Sequence, residues 1–327
     1  MKDQILANKI LNWYDINKRV LPWRKNLSQK KKQYYTLVSE FMLQQTQVAT
    51  VIPFFNRFIK NIPDLEALAN FDNHKLIKLW EGLGYYSRVR NLKKTAQIVV
   101  KHFDKKLPRK YLDLKSLPGI GDYTASAISA IAFNKRIIPL DGNIERVLKR
   151  YLYLKKENEI NKENLIKKKK IFGYSNRASD YAQALMELGA LICKPNNPHC
   201  EQCPISNKCI ALKKKDFLLT KIKKKNNNKY YLLKVYKDKS KYLLIKNTKF
   251  NFLKNFSIFP MQELSKPLSS TDIVNFKMSN MNMNIKIEHK NKVGSLPTSH
   301  WIDPKKLKNY TLPTFTKKIV RYLESNK

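Results

Sequence analysis

The 327-residue chain has no uninterrupted apolar run of about 18 residues, so nothing in it reads as a membrane-spanning helix. Its opening, Met1-Lys2-Asp3-Gln4-Ile5-Leu6, lacks the long apolar stretch of a secretory signal, and a cytoplasmic protein is expected. Acidic residues are scarce: 25 Asp and Glu stand against 65 Lys and Arg, a net charge of +40. A field of that sign favours polyanionic partners, nucleic acid first among them. Composition offers a second source for the same charge. The chain is crowded with Lys, Asn and Ile, which A/T-rich codons encode, so charge alone does not identify a DNA-binding protein. Cysteine is scarcer still. All four lie between Cys193 and Cys209, whereas a secreted disulfide protein would spread them along the chain, so the cluster points to metal. There are no internal repeats. What the chain has in quantity is apolar surface: a hydrophobic fraction of 43% supports a sizeable core and, at this length, two domains or three.

Ile5, Leu6, Ile10, Trp13 and Tyr14 recur near helical spacing and predict a helix over 3–19, ended by Leu21-Pro22-Trp23. The polar stretch Lys25–Gln33 reads as a surface loop. From Tyr34 to Phe103 the pattern is helical, with breaks at Pro53, Pro63 and Gly82–Gly84. Leu117-Pro118-Gly119-Ile120-Gly121 is a tight turn before a helix of small residues, Thr124–Ala132. Further helices are expected over Asn143–Tyr153, Lys162–Phe172 and Ala178–Ile192. Beyond the last cysteine, Lys213-Lys214-Lys215 and Lys223-Lys224-Lys225 with its asparagines bracket a basic linker. Tyr230–Tyr236 and Lys241–Asn247 read as paired strands, Met278–Asn291 as low complexity, and Thr314–Glu324 as a last helix. The expected fold is mainly α, a helical body followed by a small α/β module.

The cysteine spacing, Cys193-x6-Cys200-x2-Cys203-x5-Cys209, lets four thiolates wrap one compact centre. Tetrahedral zinc and an iron–sulfur cluster both suit four thiolates. Structural zinc sites usually present two Cys-x2-Cys knuckles, and only one such pair exists here. In the Gly119–Gly121 turn no Cβ stands in the way, so backbone N–H groups can approach a phosphate at a helix N-terminus. The same pattern also makes a plain loop. Asp141, in Pro139-Leu140-Asp141-Gly142-Asn143, stands where a helix cap commonly stands.

In this order, hairpin, aspartate and cysteine loop resemble the endonuclease III superfamily of DNA glycosylases. Ser39-Glu40-Phe41-Met42-Leu43-Gln44-Gln45-Thr46-Gln47-Val48, Leu21-Pro22-Trp23-Arg24 and Gly82-Leu83-Gly84-Tyr85-Tyr86-Ser87-Arg88 are similar to signatures of its MutY-type adenine glycosylases. The similarity runs from about residue 34 to Cys209. It implies a helix-hairpin-helix body made of an iron–sulfur helical domain (1–24 and 136–212) and a six-helix barrel domain (25–135). A basic linker (213–229) and a Nudix-like lesion-recognition domain (230–327) would follow. It implies one 4Fe–4S cluster on Cys193, Cys200, Cys203 and Cys209, with Lys194 in the basic loop that meets the phosphate backbone. It implies a nucleoid-associated monomer that excises adenine opposite 8-oxoguanine or guanine in double-stranded DNA.

Residue roles carry over by position. Glu40 matches the general acid that protonates adenine N7, although by itself it reads as a surface helix glutamate. Asp141 matches the carboxylate that steadies the cationic sugar and orients water, and Asn143 a residue that helps order both. Gln44, Gln45, Thr46, Leu83 and Tyr85 match residues that wedge into the base stack and contact the orphan base; ordinary packing is a rival reading for Leu83. Arg24, Gly119 and Gly121 are expected at the DNA, and Glu187 behind the pocket in an ion pair. In the lyase branch a lysine follows the hairpin and attacks the sugar as an amine. Tyr123 holds that position here, and a phenol forms no Schiff base, so a monofunctional glycosylase is expected.

The C-terminal module departs from the family. Phe252–Pro260 resembles a family strand ending in Phe-Pro, and His300-Trp301-Ile302 the stretch before the last helix. The Phe-Ser-His loop that probes 8-oxoguanine is not evident, since Ser299-His300 lies too close to Trp301. The module is short, and Lys25–Gln33 is longer than its family counterpart. No Gly- and Glu-rich Nudix box is present, which argues against nucleotide hydrolysis. Two rivals stand beside this reading. A glycosylase and lyase for oxidised pyrimidines is opposed by Tyr123 and Gln44-Gln45-Thr46. A non-catalytic DNA-binding relative is opposed by retention of Glu40, Asp141 and all four cysteines.

Overall fold

The computed structural model describes residues 2–25, 27–219, 227–265, 273–278, 281–294, 296 and 298–326. The Lys223–Asn226 part of the basic linker lies outside them. Contacts divide the chain into two compact units, 1–72 with 87–222, and 73–86 with 223–327. The helices among the described residues are α1 (Lys2–Asn17), α2 (Gln29–Leu43), α3 (Val48–Asn61), α4 (Leu65–Asn70), α5 (Asn73–Leu79), α6 (Ser87–His102), α7 (Tyr111–Ser116), α8 (Asp122–Phe133), α9 (Gly142–Leu152), α10 (Lys162–Lys168), α11 (Ala178–Glu187), α12 (Ile210–Lys213) and α13 (Thr314–Ser325). None is long and apolar enough to cross a membrane.

The first unit holds every helix except α5 and α13. One core joins α1, α9 and α11: Ala7, Ile10, Leu11 and Tyr14 pack with Ile144, Val147, Leu148, Tyr181 and Leu185. Cys193, Cys203 and Cys209 lie against this same core, so the cysteine loop is seated on the helices it follows. Elsewhere in the unit α2 packs on α8, whose small buried residues Ala125, Ala127, Ser129 and Ala130 permit close approach.

Sequence pattern and structure part company at four places in this unit. Lys25–Gln33 is not all loop: α2 starts at Gln29, with Lys32 N–H bonded to Ser28 C=O at 2.8 Å, because Lys and Gln are good helix formers. Pro53 does not break a helix. It lies inside α3, where burial of Val51, Phe55 and Phe58 offsets a cost of about 3 kcal/mol for an interior proline. The α10 helix ends at Lys168 and tightens into a 3₁₀ turn, Lys169–Phe172. The α11 helix ends at Glu187 and widens into a π turn, Leu188–Ile192, the kind of bulge that gathers at functional sites.

The second unit is a mixed sheet with α5 and α13. Its strands are β1 (Asn227–Asp238), β2 (Lys241–Lys246), β3 (Ser257–Ile258), β4 (Met261–Leu264), β5 (Ile273–Met278), β6 (Met281–Lys290) and β7 (Ser299–Ile302). The order is β3-β2-β1-β6-β5, with β4 also on β1 and β7 also on β2. Among the described residues only β1 and β6 run parallel, from Asn227 opposite Met281 to Tyr236 opposite Lys290. The low-complexity stretch is thus mostly strand, with residues 279–280 outside the described set. Met281-Asn282-Met283-Asn284-Ile285-Lys286-Ile287 alternates with the period of a strand, and Met283 and Ile285 are fully buried. They join Tyr231, Leu233, Leu244, Phe259 and Ile319 in the core of this unit.

Candidate active site

The hairpin sets the geometry. Gly119 has φ of +79°, and a Cβ there would lie 2.8 Å from Phe41 Cε1 and 2.9 Å from Asn91 Cβ. Only glycine allows both the left-handed backbone and the close approach. That approach brings the first turn of α8, with Tyr123, against the last turn of α2, with Glu40. Gln44, at the end of α2, reaches Gly119 C=O at 3.4 Å and Thr124 Oγ1 at 3.5 Å. Arg88, 6% exposed, caps α2 by placing Nη1 at 2.7 Å from Met42 C=O and 2.5 Å from Gln44 C=O, and 3.1 Å from Thr46 Oγ1. The turn that follows is thereby fixed, with Gln45 exposed at φ of +56°.

A cavity of about 950 Å³ opens beside this junction and is lined by Arg24, Glu40, Gln44–Thr46, Tyr123, Asp141 and Asn143, among others. Glu40 is 4% exposed, and its Oε2 has no hydrogen-bond partner. Burial pushes its pKa up to about 7; the Tyr123 hydroxyl opposes the rise, the Asp141 charge adds to it, and Arg24 opposes it. Burial first, and then the charges of Glu40 and Asp141, hold the Tyr123 phenol well above its ordinary range, so it stays protonated.

Asp141 is the N-cap of α9. Its Oδ1 accepts from Ile144 N–H at 2.7 Å, and its Oδ2 from Asn143 Nδ2 at 2.9 Å. Burial raises its pKa, and these hydrogen bonds pull it back. Asn143 is held in turn by Arg146, whose Nη2 donates to Asn143 Oδ1 at 2.8 Å and to Gly189 C=O at 2.7 Å, while its Nε donates to Cys193 C=O at 2.7 Å. Gly189 is where the π turn meets α9. A Cβ on it would stand 2.6 Å from Asn143 Cβ. One guanidinium therefore ties the aspartate's neighbour to the start of the cysteine loop.

All four cysteines line a cavity of about 30 Å³ with Arg150 and Phe217. Arg150 Nη1 lies 3.5 Å from Cys193 Sγ and 2.6 Å from Lys194 C=O. Burial raises the thiol pKa of Cys203 to about 12 and lifts those of Cys200 and Cys209 as well. Among the described residues no three His, Cys, Asp or Glu side chains are grouped to hold a single metal ion. Lys194 keeps its amine 3.3 Å from His199 Nε2.

Residues outside the sequence motifs complete the wall. Arg19 Nη2 and Nε bond both oxygens of Glu187 at 2.7 and 2.8 Å. Arg24 Nη1 lies 3.0 Å from Glu187 Oε1, a second guanidinium on the same carboxylate. Burial would raise the pKa of Glu187, but the two guanidiniums together lower it, so it remains an anion. Arg19 and Gln183 carry no motif that names them; Arg146 and Gly189 stand beside the quoted motifs. Gly119, Gly121 and Lys194 do not line the large cavity. Leu83 and Tyr85 belong to the second unit; Leu83 is 6% exposed and Tyr85 43%.

Residues 38–170 match the family described as HhH-GPD superfamily base excision DNA repair protein. An adenine DNA glycosylase of Buchnera aphidicola subsp. Schizaphis graminum is 38% identical over 263 residues, spanning 78% of this chain and 74% of that protein. The chain belongs to the adenine DNA glycosylase family. A human adenine DNA glycosylase is 39% identical over 213 residues, spanning 62% of this chain and 38% of its own length. A thermostable thymine-DNA glycosylase is superposable with a TM-score of 0.57 at 26% identity, covering 65% of this chain and 97% of that one. An endonuclease III trapped on DNA shares the fold, with a TM-score of 0.53 at 20% identity over 66% of this chain and 98% of its own. As an adenine DNA glycosylase family member the protein is an enzyme of base excision repair that cleaves N-glycosyl bonds in DNA. The resemblance read in the sequence is thus borne out at the level of family and enzyme class.

Proposed function

We propose that the enzyme removes adenine opposite 8-oxoguanine or guanine in duplex DNA as a monofunctional glycosylase. The carrying observation is a buried carboxyl, Glu40, with one unpaired oxygen and a pKa of about 7, sharing a cavity with a second carboxyl, Asp141. With its pKa raised toward neutrality by burial, Glu40 can hold a proton and give it to adenine N7, so that adenine leaves as a neutral base. Positive charge then builds on the deoxyribose. Asp141, held by Asn143 and by the first turn of α9, stays fixed to stabilise that charge and orient water. Arg24 lies at the cavity wall and is held by Glu187 at 3.0 Å, which fixes a positive charge near Glu40. Tyr123 keeps its proton and supplies no amine, which favours hydrolysis over strand cleavage.

Flipping the adenosine out costs a few kcal/mol and is easier at a mispair. The Gln44–Thr46 turn and Tyr85 are the groups proposed to fill the vacated space. Four cysteines line one cavity, with Arg150 as a counter-charge beside Cys193, a donor set that suits a 4Fe–4S cluster. Such a cluster, when bound, would brace the loop that carries Lys194. The C-terminal module is read as a Nudix-like domain, and the body as the iron–sulfur and six-helix parts the family resemblance implies.

Single-turnover excision from an A:8-oxoguanine duplex and an A:G duplex tests the reading. Adenine release from both is expected, without a borohydride-trapped product. If Asp141→Asn leaves adenine release unchanged, or if oxidised pyrimidine is the base released, the assignment is wrong.

A further inference from the structure

We propose that the C-terminal module holds the Gly82–Tyr86 loop in its working shape, through Phe256 and Lys317, and so sets how firmly Tyr85 wedges the duplex. This rests on the reading of Tyr85 as the wedge. The loop lies far from the module in sequence, yet the two form a single compact unit. Its backbone turns left-handed at three positions, freely at Gly82 with φ of +101° and Gly84 of +75°, and at a cost at Tyr85 with φ of +49°. Tyrosine in the left-handed region persists only where its surroundings over-determine it. Trp80 Nε1 provides one restraint, donating to Gly84 C=O at 3.0 Å.

Two further restraints come from the module, one at each end of the loop. The Tyr86 ring, 5% exposed, packs on Phe256 with centroids 4.4 Å apart. Glu81 meets Lys317 at 2.5 Å, with side chains only 18% and 23% exposed. Both anchors are themselves fixed. Phe256 C=O accepts from Asn247 N–H at 2.8 Å, and Phe256 N–H donates to Leu253 C=O at 3.1 Å. The next carbonyl, of Ser257, accepts from Thr316 Oγ1 at 2.9 Å, and Thr316 is fully buried beside Lys317 on α13. The start of β3 and the first turn of α13 thus act as one clamp. Such a clamp would act on every duplex, whichever base stands opposite the adenine. It gives a module without a recognisable lesion-probing loop a task of its own.

The experiment uses the full chain and an A:G duplex carrying 2-aminopurine beside the orphan guanine, whose fluorescence rises on unstacking. Lys317→Glu sets two anions against each other. It is expected to lower the thermal midpoint and, at a temperature where the variant is still folded, to lower both the fluorescence amplitude and single-turnover adenine release, the latter about tenfold. Adding Glu81→Lys restores the pairing and should return both signals. Phe256→Leu, which keeps apolar bulk and removes the ring, should behave like Lys317→Glu. If Tyr85→Ala loses both signals while Lys317→Glu and Phe256→Leu lose neither, the clamp is refuted and the wedge stands. If Tyr85→Ala itself changes nothing, the wedge reading fails and the clamp has no function to serve.

Discussion

Glu40 is both the most useful and the least comfortable side chain in the first unit. Its pKa is raised from 4.5 to about 7, so its contribution to stability is fully present below pH 4.5 and is lost as pH rises through 7. At pH 8 the buried anion costs about 3 kcal/mol relative to acid conditions. Glu40→Gln removes the titration. The thermal midpoint of the variant relative to wild type should therefore climb between pH 5 and pH 8, while adenine release falls by about 10²- to 10⁴-fold. A midpoint difference that is flat with pH would mean that Glu40 is not held protonated by burial. The rate should also decline above pH 7 in wild type, as the acid loses its proton.

Alone, Glu40 and Asp141 read as a surface helix glutamate and a helix cap; they were legible only through the family resemblance of the motifs around them. Arg19 was not. It meets Glu187 across 168 positions of chain, and no local pattern encodes such a meeting. Gly189 reads as an unremarkable helix-end glycine until its distance to Asn143 is known. Gly189→Ala forces a methyl against Asn143 at 2.6 Å. It should cost about 1–3 kcal/mol of stability by overpacking. It should also slow excision without changing duplex affinity, because what moves is the group that holds Asp141. Equal losses in rate and affinity would instead point to general disruption of the unit.

Elements were legible where period and caps agree. The Asp141 cap and the apolar face of α9 fix that helix to within a residue of the Asn143–Tyr153 expectation. The small-residue helix α8 and the strands β1 and β2 were likewise readable. Two features were hidden because tertiary contacts override local preference. Pro53 stays helical on the strength of Phe55 and Phe58, and the π turn forms where Gly189 C=O turns to Arg146. Arg146 is the element-level hinge of the site, since it joins α9, the π turn and the cysteine loop with one side chain. Arg146→Ala leaves three part-buried carbonyl or amide acceptors short of a donor, each hydrogen bond to a charged group being worth about 1.5–3 kcal/mol at most. The expected result is a less stable cysteine loop, read, if the proposed cluster is bound, as faster loss of its visible absorbance to a chelator, together with slowed excision. Unchanged cluster retention would show that the loop is seated by its apolar core alone.

At the scale of the whole molecule, the composition shift after Cys209 was legible, and among the described residues every strand lies beyond it. The membership of residues 73–86 was not, because contact with the module is made by a segment whose sequence neighbours on both sides belong to the other unit. The charge of +40 is a property of this same scale, and its two explanations make different demands. Lysine supplied by coding bias lies wherever the chain leads it. Lysine and arginine that meet phosphates release counterions, and only those set the salt dependence of binding. With six to ten phosphates neutralised, the slope of log affinity against log salt should be about −5 to −9, a loss of roughly 10³- to 10⁵-fold between 50 and 200 mM salt. Duplex affinity measured by fluorescence anisotropy over that range gives the slope directly. A much shallower slope would mean that most of the positive charge never faces DNA and that base and sugar contacts around the cavity dominate binding. A slope in the expected range would assign only a minority of the 65 basic residues to the interface and leave the rest to composition.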